Sequence, residues 1–108
     1  MLGVGLNVAV RTEDFPAELR KSAGGMGLEP DAIEPTLEWL LDALGRWIEA
    51  SPGDILDGVR ARDALLGLSV RWGGGRGEAA GVDSDGRLIV ETGEGRVTLE
   101  AGEVHLVG

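Results

Sequence analysis

The stretch Gly77-Glu78-Ala79-Ala80-Gly81-Val82-Asp83-Ser84-Asp85-Gly86-Arg87-Leu88-Ile89-Val90-Glu91-Thr92 reads as a β-hairpin. Glu78 to Val82 and Arg87 to Thr92 are the two strands. Asp83-Ser84-Asp85-Gly86 between them is a turn of the type that closes hairpins. The same period of two continues outward on both sides. Leu68, Val70 and Trp72 alternate with Ser69 and Arg71, and Gly73-Gly74-Gly75 turns the chain into the hairpin. Beyond it, Gly93-Glu94-Gly95 turns again, and Val97 and Leu99 alternate with Arg96, Thr98 and Glu100. Ala101-Gly102 makes the last turn before Val104 and Leu106. Five short strands spaced roughly ten residues apart predict a small barrel or sandwich. Its inward set is Leu68, Val70, Trp72, Val82, Leu88, Val90, Val97, Leu99, Val104 and Leu106.

Upstream of Leu68 the period changes to that of a helix. Ile33, Leu37, Leu40, Leu41, Leu44, Trp47 and Ile48 form one apolar face, with Glu34, Glu38, Asp42, Arg46 and Glu49 on the wet side. Asp31 to Glu34 resembles a capping box, but Pro35 would then interrupt the first intrahelical bonds, so the expected start is Pro35. Ser51-Pro52-Gly53-Asp54 is a second helix start, with a serine cap, a proline and an acid. That helix runs through Ile55, Leu56 and Val59 to Leu66, where Gly67 ends it. A short helix over Phe15, Leu19 and Ala23 is expected to stop at Gly24-Gly25. At the N-terminal end, Val4, Leu6, Val8 and Val10 alternate with Gly3, Gly5, Asn7 and Ala9, which predicts a strand with one flat face. Glycine within a strand marks close approach by a ligand or another backbone. Asn7, the only asparagine, ends that face with an amide that suits the edge of a planar heterocycle. No neighbouring strand occurs before Leu68, so this strand reads as part of a larger sheet or as one paired with another chain. The class is α+β, with the composition shifting near Gly67.

The 108 residues carry a net charge of -9, which argues against nucleic acid or an anionic membrane as a partner. No cysteine is present, so disulfides and thiolate metal sites are excluded, and a cytoplasmic location is expected. No apolar run is long enough to span a bilayer. Gly3-x-Gly5 has Val8 where a dinucleotide fingerprint has its third glycine. Asp83-x-Asp85-Gly86 has its glycine too early for a calcium loop. Gly73 to Gly77 is followed by no lysine and no helix, and reads as a hairpin tip. His105, the only histidine, points away from the Val104/Leu106 face and reads as a surface residue. These residues compose no complete active site, and neither a catalytic residue nor a metal ligand is assigned.

The order of the motifs is more specific than any one of them. Gly3-Val4-Gly5-Leu6-Asn7-Val8, Phe15-Pro16-x-Glu18-Leu19, a leucine-rich helix, Leu65-Leu66-Gly67-x-x-Val70, Gly77-x-x-x-Gly81-Val82-Asp83-x-Asp85-Gly86-x-Leu88 and Ala101-Gly102-Glu103-Val104 follow one another. Together they resemble the C-terminal part of biotin protein ligase across nearly the whole chain. Members of that family use ATP, with magnesium, to convert biotin to biotinyl-adenylate. They then acylate a lysine on a biotin carboxyl carrier domain. The resemblance implies that residues 1–66 are the C-terminal part of the catalytic domain, with one strand of its incomplete sheet. Residues 67–108 would be the family's small five-stranded SH3-like barrel. It also implies nucleotide contact at Asn7 and Gly5, and a nucleotide or magnesium role for Glu103.

Two family features are absent: the arginine-rich glycine loop over biotin and the Lys-Trp-Pro-Asn segment. Lys21, the only lysine, sits outside any family lysine motif. The expectation is a C-terminal portion, from a fragment, a truncated gene product or a split enzyme, that is inactive alone and holds neither ATP nor biotin tightly. Its expected partners are the carrier domain and an N-terminal catalytic half, or a second copy paired through the first strand. The alternative is a stand-alone SH3-like protein-binding module that never meets biotin.

Overall fold

The computed structural model describes all residues, Met1–Gly108, and the chain divides into two compact units, Met1–Glu49 and Ala50–Gly108. The composition shift at Gly67 therefore lies inside the second unit, and the helix after Ser51 groups with the strands.

In the second unit, helix α2 spans Pro52–Arg60. Ser51 caps it as the sequence predicts, with Oγ accepting the Asp54 N–H at 3.1 Å. The helix stops at Arg60 rather than reaching Leu66. Asp63 offers the backbone a local alternative, its Oδ1 accepting the Leu65 N–H at 2.9 Å. Strands β1 (Ser69–Trp72), β2 (Gly75–Val82), β3 (Leu88–Thr92), β4 (Gly95–Leu99) and β5 (His105–Leu106) follow. They form one antiparallel sheet in the order β4-β3-β2-β1-β5. The fold class is α+β with a five-stranded sheet. Closure into a barrel is not observed, because β4 and β5 occupy opposite ends of the ladder and do not pair. Two-residue β5 has backbone enough to pair only with β1, through Val70↔Leu106 and Arg71↔His105.

Val70, Ala79 and Val90 are the fully enclosed core of this unit, with Leu65, Trp72, Leu88, Leu99 and Val104 packed against them. Leu68, Val97 and Leu106, expected to point inward, are largely exposed. Leu68 serves through its backbone instead, its carbonyl accepting the Ala79 N–H at 2.9 Å. Ala79 takes a core place because it faces Val90 across the β2–β3 ladder. The register between these strands slips by one residue between Ala79 and Val82, a β-bulge that Gly81 permits at φ +105°. At Gly77 a Cβ would collide with the Glu91 carbonyl oxygen and Val90 Cγ1. That position joins the two strands only as glycine.

The first unit is built differently. Helix α1 spans Ile33–Glu49, preceded by a 3-10 turn at Pro30–Ala32. The helix thus begins two residues before Pro35. Pro35 occupies the third helical position, where the N–H has no intrahelical acceptor in any case. Phe15 to Ala23 is a series of turns rather than a helix, closed by Leu19 N–H to Pro16 O at 2.9 Å and Ala23 N–H to Leu19 O at 2.8 Å. Leu2–Val10 is not a strand. Only two of its backbone groups are bonded within the chain, the adjacent carbonyls of Asn7 and Val8, and two adjacent bonds do not make a ladder. Val8 is the one buried hydrophobic residue of this unit.

Candidate functional site

Asn7 is held from three directions. Its carbonyl accepts the Met26 N–H at 2.8 Å, and the next carbonyl, Val8, accepts Leu28 N–H at 3.2 Å. Its side-chain Nδ2 donates to the Gly24 carbonyl at 3.2 Å. Gly25 lies flat against this strip, since a Cβ there would stand 2.7 Å from Val10 O and 3.2 Å from Asn7 O. The Gly24-Gly25 pair, read from the sequence as a helix stop, is thus a packing site for residues 7–10. The Asn7 amide is exposed, and its Oδ1 makes no hydrogen bond within the chain. One end of the amide is committed to positioning, and the other is an available acceptor. Gly5 is exposed, and a Cβ built on it meets nothing within 4 Å. The face is open as the sequence suggests, but nothing within the chain itself demands glycine there.

A cavity of about 270 Å³ continues from this strip, lined by Ala9 to Thr12 and by Gly25 and Gly27 to Pro30. Arg11 on its wall makes no ion pair, although its backbone N–H donates to Asp14 Oδ2 at 3.0 Å. A guanidinium without an ion-pair partner can meet an anionic group of a ligand. Arg11 carries no signal in the sequence that separates it from the other eight arginines. What marks it is the cavity, which exists because residues 25–30 fold back onto residues 7–10. Lys21 is exposed in the turn series and makes neither a hydrogen bond nor an ion pair.

Glu103 belongs to the second unit. Its carboxylate is 90% exposed, and Oε2 lies 3.5 Å from His105 Nε2. Both residues rim a cleft of about 600 Å³ whose apolar floor is Trp72, Leu99 and Val104 and whose wall includes Arg71. No cluster of three histidine, aspartate or glutamate side chains is placed to hold a metal ion. A magnesium ion at Glu103 would need its remaining ligands from water or a bound nucleotide's phosphates. Asp83, in the β2–β3 turn, is the one group held clearly off its ordinary pKa. Its carboxylate is pushed below the usual 3.8, chiefly by the Arg87 backbone N–H, which reaches Oδ1 at 2.9 Å. That arrangement is turn chemistry, with Asp85 N–H on the same oxygen at 2.9 Å. No helix is long and apolar enough to cross a membrane.

Residues 76–107 match the family model described as "Biotin protein ligase C terminal domain". Two solved structures share the fold. The apo structure of biotin protein ligase from Aquifex aeolicus is 22% identical, with a TM-score of 0.71, over 94% of this chain and 50% of that one. A crystal structure of biotin protein ligase from Aquifex aeolicus is 20% identical, with a TM-score of 0.67, over 86% of this chain and 47% of that one. Comparison with curated protein sequences gives no match. The chain thus spans about half the length of these structures. Its second unit is similar to the C-terminal domain of biotin protein ligase, and the chain as a whole has the fold of a biotin protein ligase's C-terminal region.

Proposed function

We propose that this chain provides the C-terminal region of a cytoplasmic, ATP-dependent biotin protein ligase, which activates biotin as biotinyl-adenylate and transfers it to a lysine of a carboxylase carrier domain. The observation that carries the reading is the family match over residues 76–107 within a fold shared over 94% of the chain. In this reading the exposed Asn7 Oδ1 accepts from the donor edge of the nucleotide's adenine. The bond from Nδ2 to Gly24 fixes the amide in that orientation. The open face at Gly5 lets the ring lie close. Glu103 contacts the nucleotide, directly or through its magnesium ion, by its exposed carboxylate. Alone, the chain makes no biotinyl-adenylate. Its single lysine, Lys21, is an exposed turn residue, and no other lysine side chain is present to offset charge at the reacting phosphate.

The test is a chimera in which this chain replaces the matched half of the Aquifex aeolicus ligase. Given ATP, biotin and an acceptor domain, it labels the acceptor on a streptavidin blot, whereas the 108-residue chain alone leaves the blot blank. A well-folded chimera without transfer overturns the reading, as does labelling by the chain alone. In the chimera, Asn7→Ala raises the KM for ATP by an amount equivalent to about 1–3 kcal/mol and leaves biotin affinity unchanged. Unchanged ATP affinity with a lowered Tm would instead assign Asn7 to holding Gly24.

A further inference from the structure

One long edge of the five-stranded sheet is open. Strand β4 pairs with β3 on one side and with no strand on the other. The opposite end of the sheet is two-residue β5, too short to offer much of an edge. β4 carries neither proline nor lysine, and its register against β3 runs without a bulge, so it lacks the usual devices that block strand addition. Thr92 and Gly95 face each other across a two-residue turn and close the hairpin as a hydrogen-bonded pair. Hydrogen-bonded pairs alternate along an antiparallel ladder, so Val97 and Leu99 also bond inward to β3. The N–H and C=O groups of Arg96, Thr98 and Glu100 therefore point outward.

We propose that β4 pairs antiparallel with β4 of a second copy of this chain, about a two-fold axis at Thr98. In that register the edge is complementary to itself. Thr98 faces the partner's Thr98, Val97 faces the partner's Leu99, and Arg96 faces the partner's Glu100. Charge selects this register. With the axis at Val97 instead, Arg96 would face threonine and Glu100 would face Glu94, like against like. The charged row also continues inward on each side. Arg96 Nε donates to Glu91 Oε1 at 2.6 Å, and Arg87 Nη1 lies 3.3 Å from Glu100 Oε1. Across the axis the signs then alternate through Glu91, Arg96, the partner's Glu100 and the partner's Arg87. On the other face Val97, 38% exposed, gains an apolar neighbour in the partner's Leu99. Exposed ion pairs add little energy, so here they set the register while backbone bonds hold the edge. The net charge of -9 opposes association at long range and is screened by salt. The interface is small, so the dimer is weak and forms at high concentration. The inference stands on the second unit alone and is independent of the ligase reading.

The test compares the 108-residue chain at about 10 µM and about 1 mM, in roughly 0.15 M salt, by sedimentation equilibrium and amide exchange. The concentrated chain is expected to dimerise. Exchange at Arg96 and Thr98 then slows roughly tenfold, while Val97, bonded to β3 in both states, is unchanged. Arg96→Glu and Glu100→Arg each weaken self-association at least tenfold, because each sets like charges opposite one another twice. An equimolar mixture of the two variants restores opposite signs at both positions and recovers the dimer as a heterodimer. That recovery separates a lost interface from a lost fold. A chain that stays monomeric up to about 1 mM overturns the proposal. So does a dimer indifferent to both single substitutions, or a mixture of folded variants that fails to recover it. A dimer that protects Val4 and Leu6 in place of Arg96 and Thr98 puts association in the first unit and overturns it too.

Discussion

The two units use their apolar residues in opposite ways. In Ala50–Gly108 a small set is enclosed: Val70, Ala79 and Val90 at the centre, with Leu65, Trp72, Leu88, Leu99 and Val104 around them. The backbone there is consumed by four consecutive antiparallel pairings. In Met1–Glu49 the apolar side chains are more numerous on the surface, and Val8 alone is buried. Burial of apolar area contributes about 25 cal/mol per Å², so the second unit has its own driving force and the first has little. Helix α1 and Leu2–Val10 thus have a core-facing pattern without a core. Their stability depends on what covers them.

The largest effect that would sharpen this contrast comes from Gly77→Val. The new side chain has no room between β2 and β3, and overpacking of this kind costs roughly 1–3 kcal/mol or more. In a variant keeping Trp72 as the only tryptophan, the denaturant midpoint read by its fluorescence falls sharply. Unchanged stability would mean that the strands can spread, and that the second unit is not close-packed. Gly25→Ala probes the first unit in the same manner, against Val10 O and Asn7 O. It is expected to cost roughly 1–2 kcal/mol of local order, read as faster exchange at Met26 and Leu28, while the Trp72 transition stays in place. A shift in that transition would break the separation between the units. Ser51→Ala removes the cap on α2 and lowers the stability of the second unit by about 1 kcal/mol. No change would show that α2 adds nothing to it.

The smallest effect is that of acid. Asp83 has a folded-state pKa below its ordinary value, so its contribution is present above the unfolded pKa of about 3.8 and is lost as pH falls through the lower folded value. Asp83→Asn flattens the acid limb of the second unit's stability and leaves the first unit's signal alone. An acid limb identical to that of the parent chain would place the proton-linked stability elsewhere.

The strands of the second unit were legible because their signals are local. The alternation of Val70, Trp72, Leu88, Val90 and Leu99 and the turns at Asp83–Gly86 and Gly93–Gly95 lie within a few residues of what they specify. The Ser51 cap is legible for the same reason. Ala79 as core, Gly77 as a forced close approach and the open ladder between β4 and β5 depend on what lies across the sheet. Nothing at those positions announces it. In the first unit the alternation of Leu2–Val10 is real, but a strand exists only with a partner, and the chain offers this segment only the Met26 and Leu28 amides. Asn7 stands out in the sequence as a lone amide on a flat face. Its tie to Gly24 and the neighbouring Arg11 cavity come from a fold-back across 17 residues that no local pattern encodes.

Residue-resolved amide exchange on the free 108-residue chain, shown to be monomeric by light scattering, tests the contrast most directly. Ala79 and Val90 should exchange only through global unfolding of the second unit, and Leu88 nearly as slowly. Val4 and Leu6, whose N–H groups have no acceptor in the chain, should exchange close to the unprotected rate. Slower exchange at Val4 to Val8 than at Leu88 to Val90 in that monomer would contradict the account.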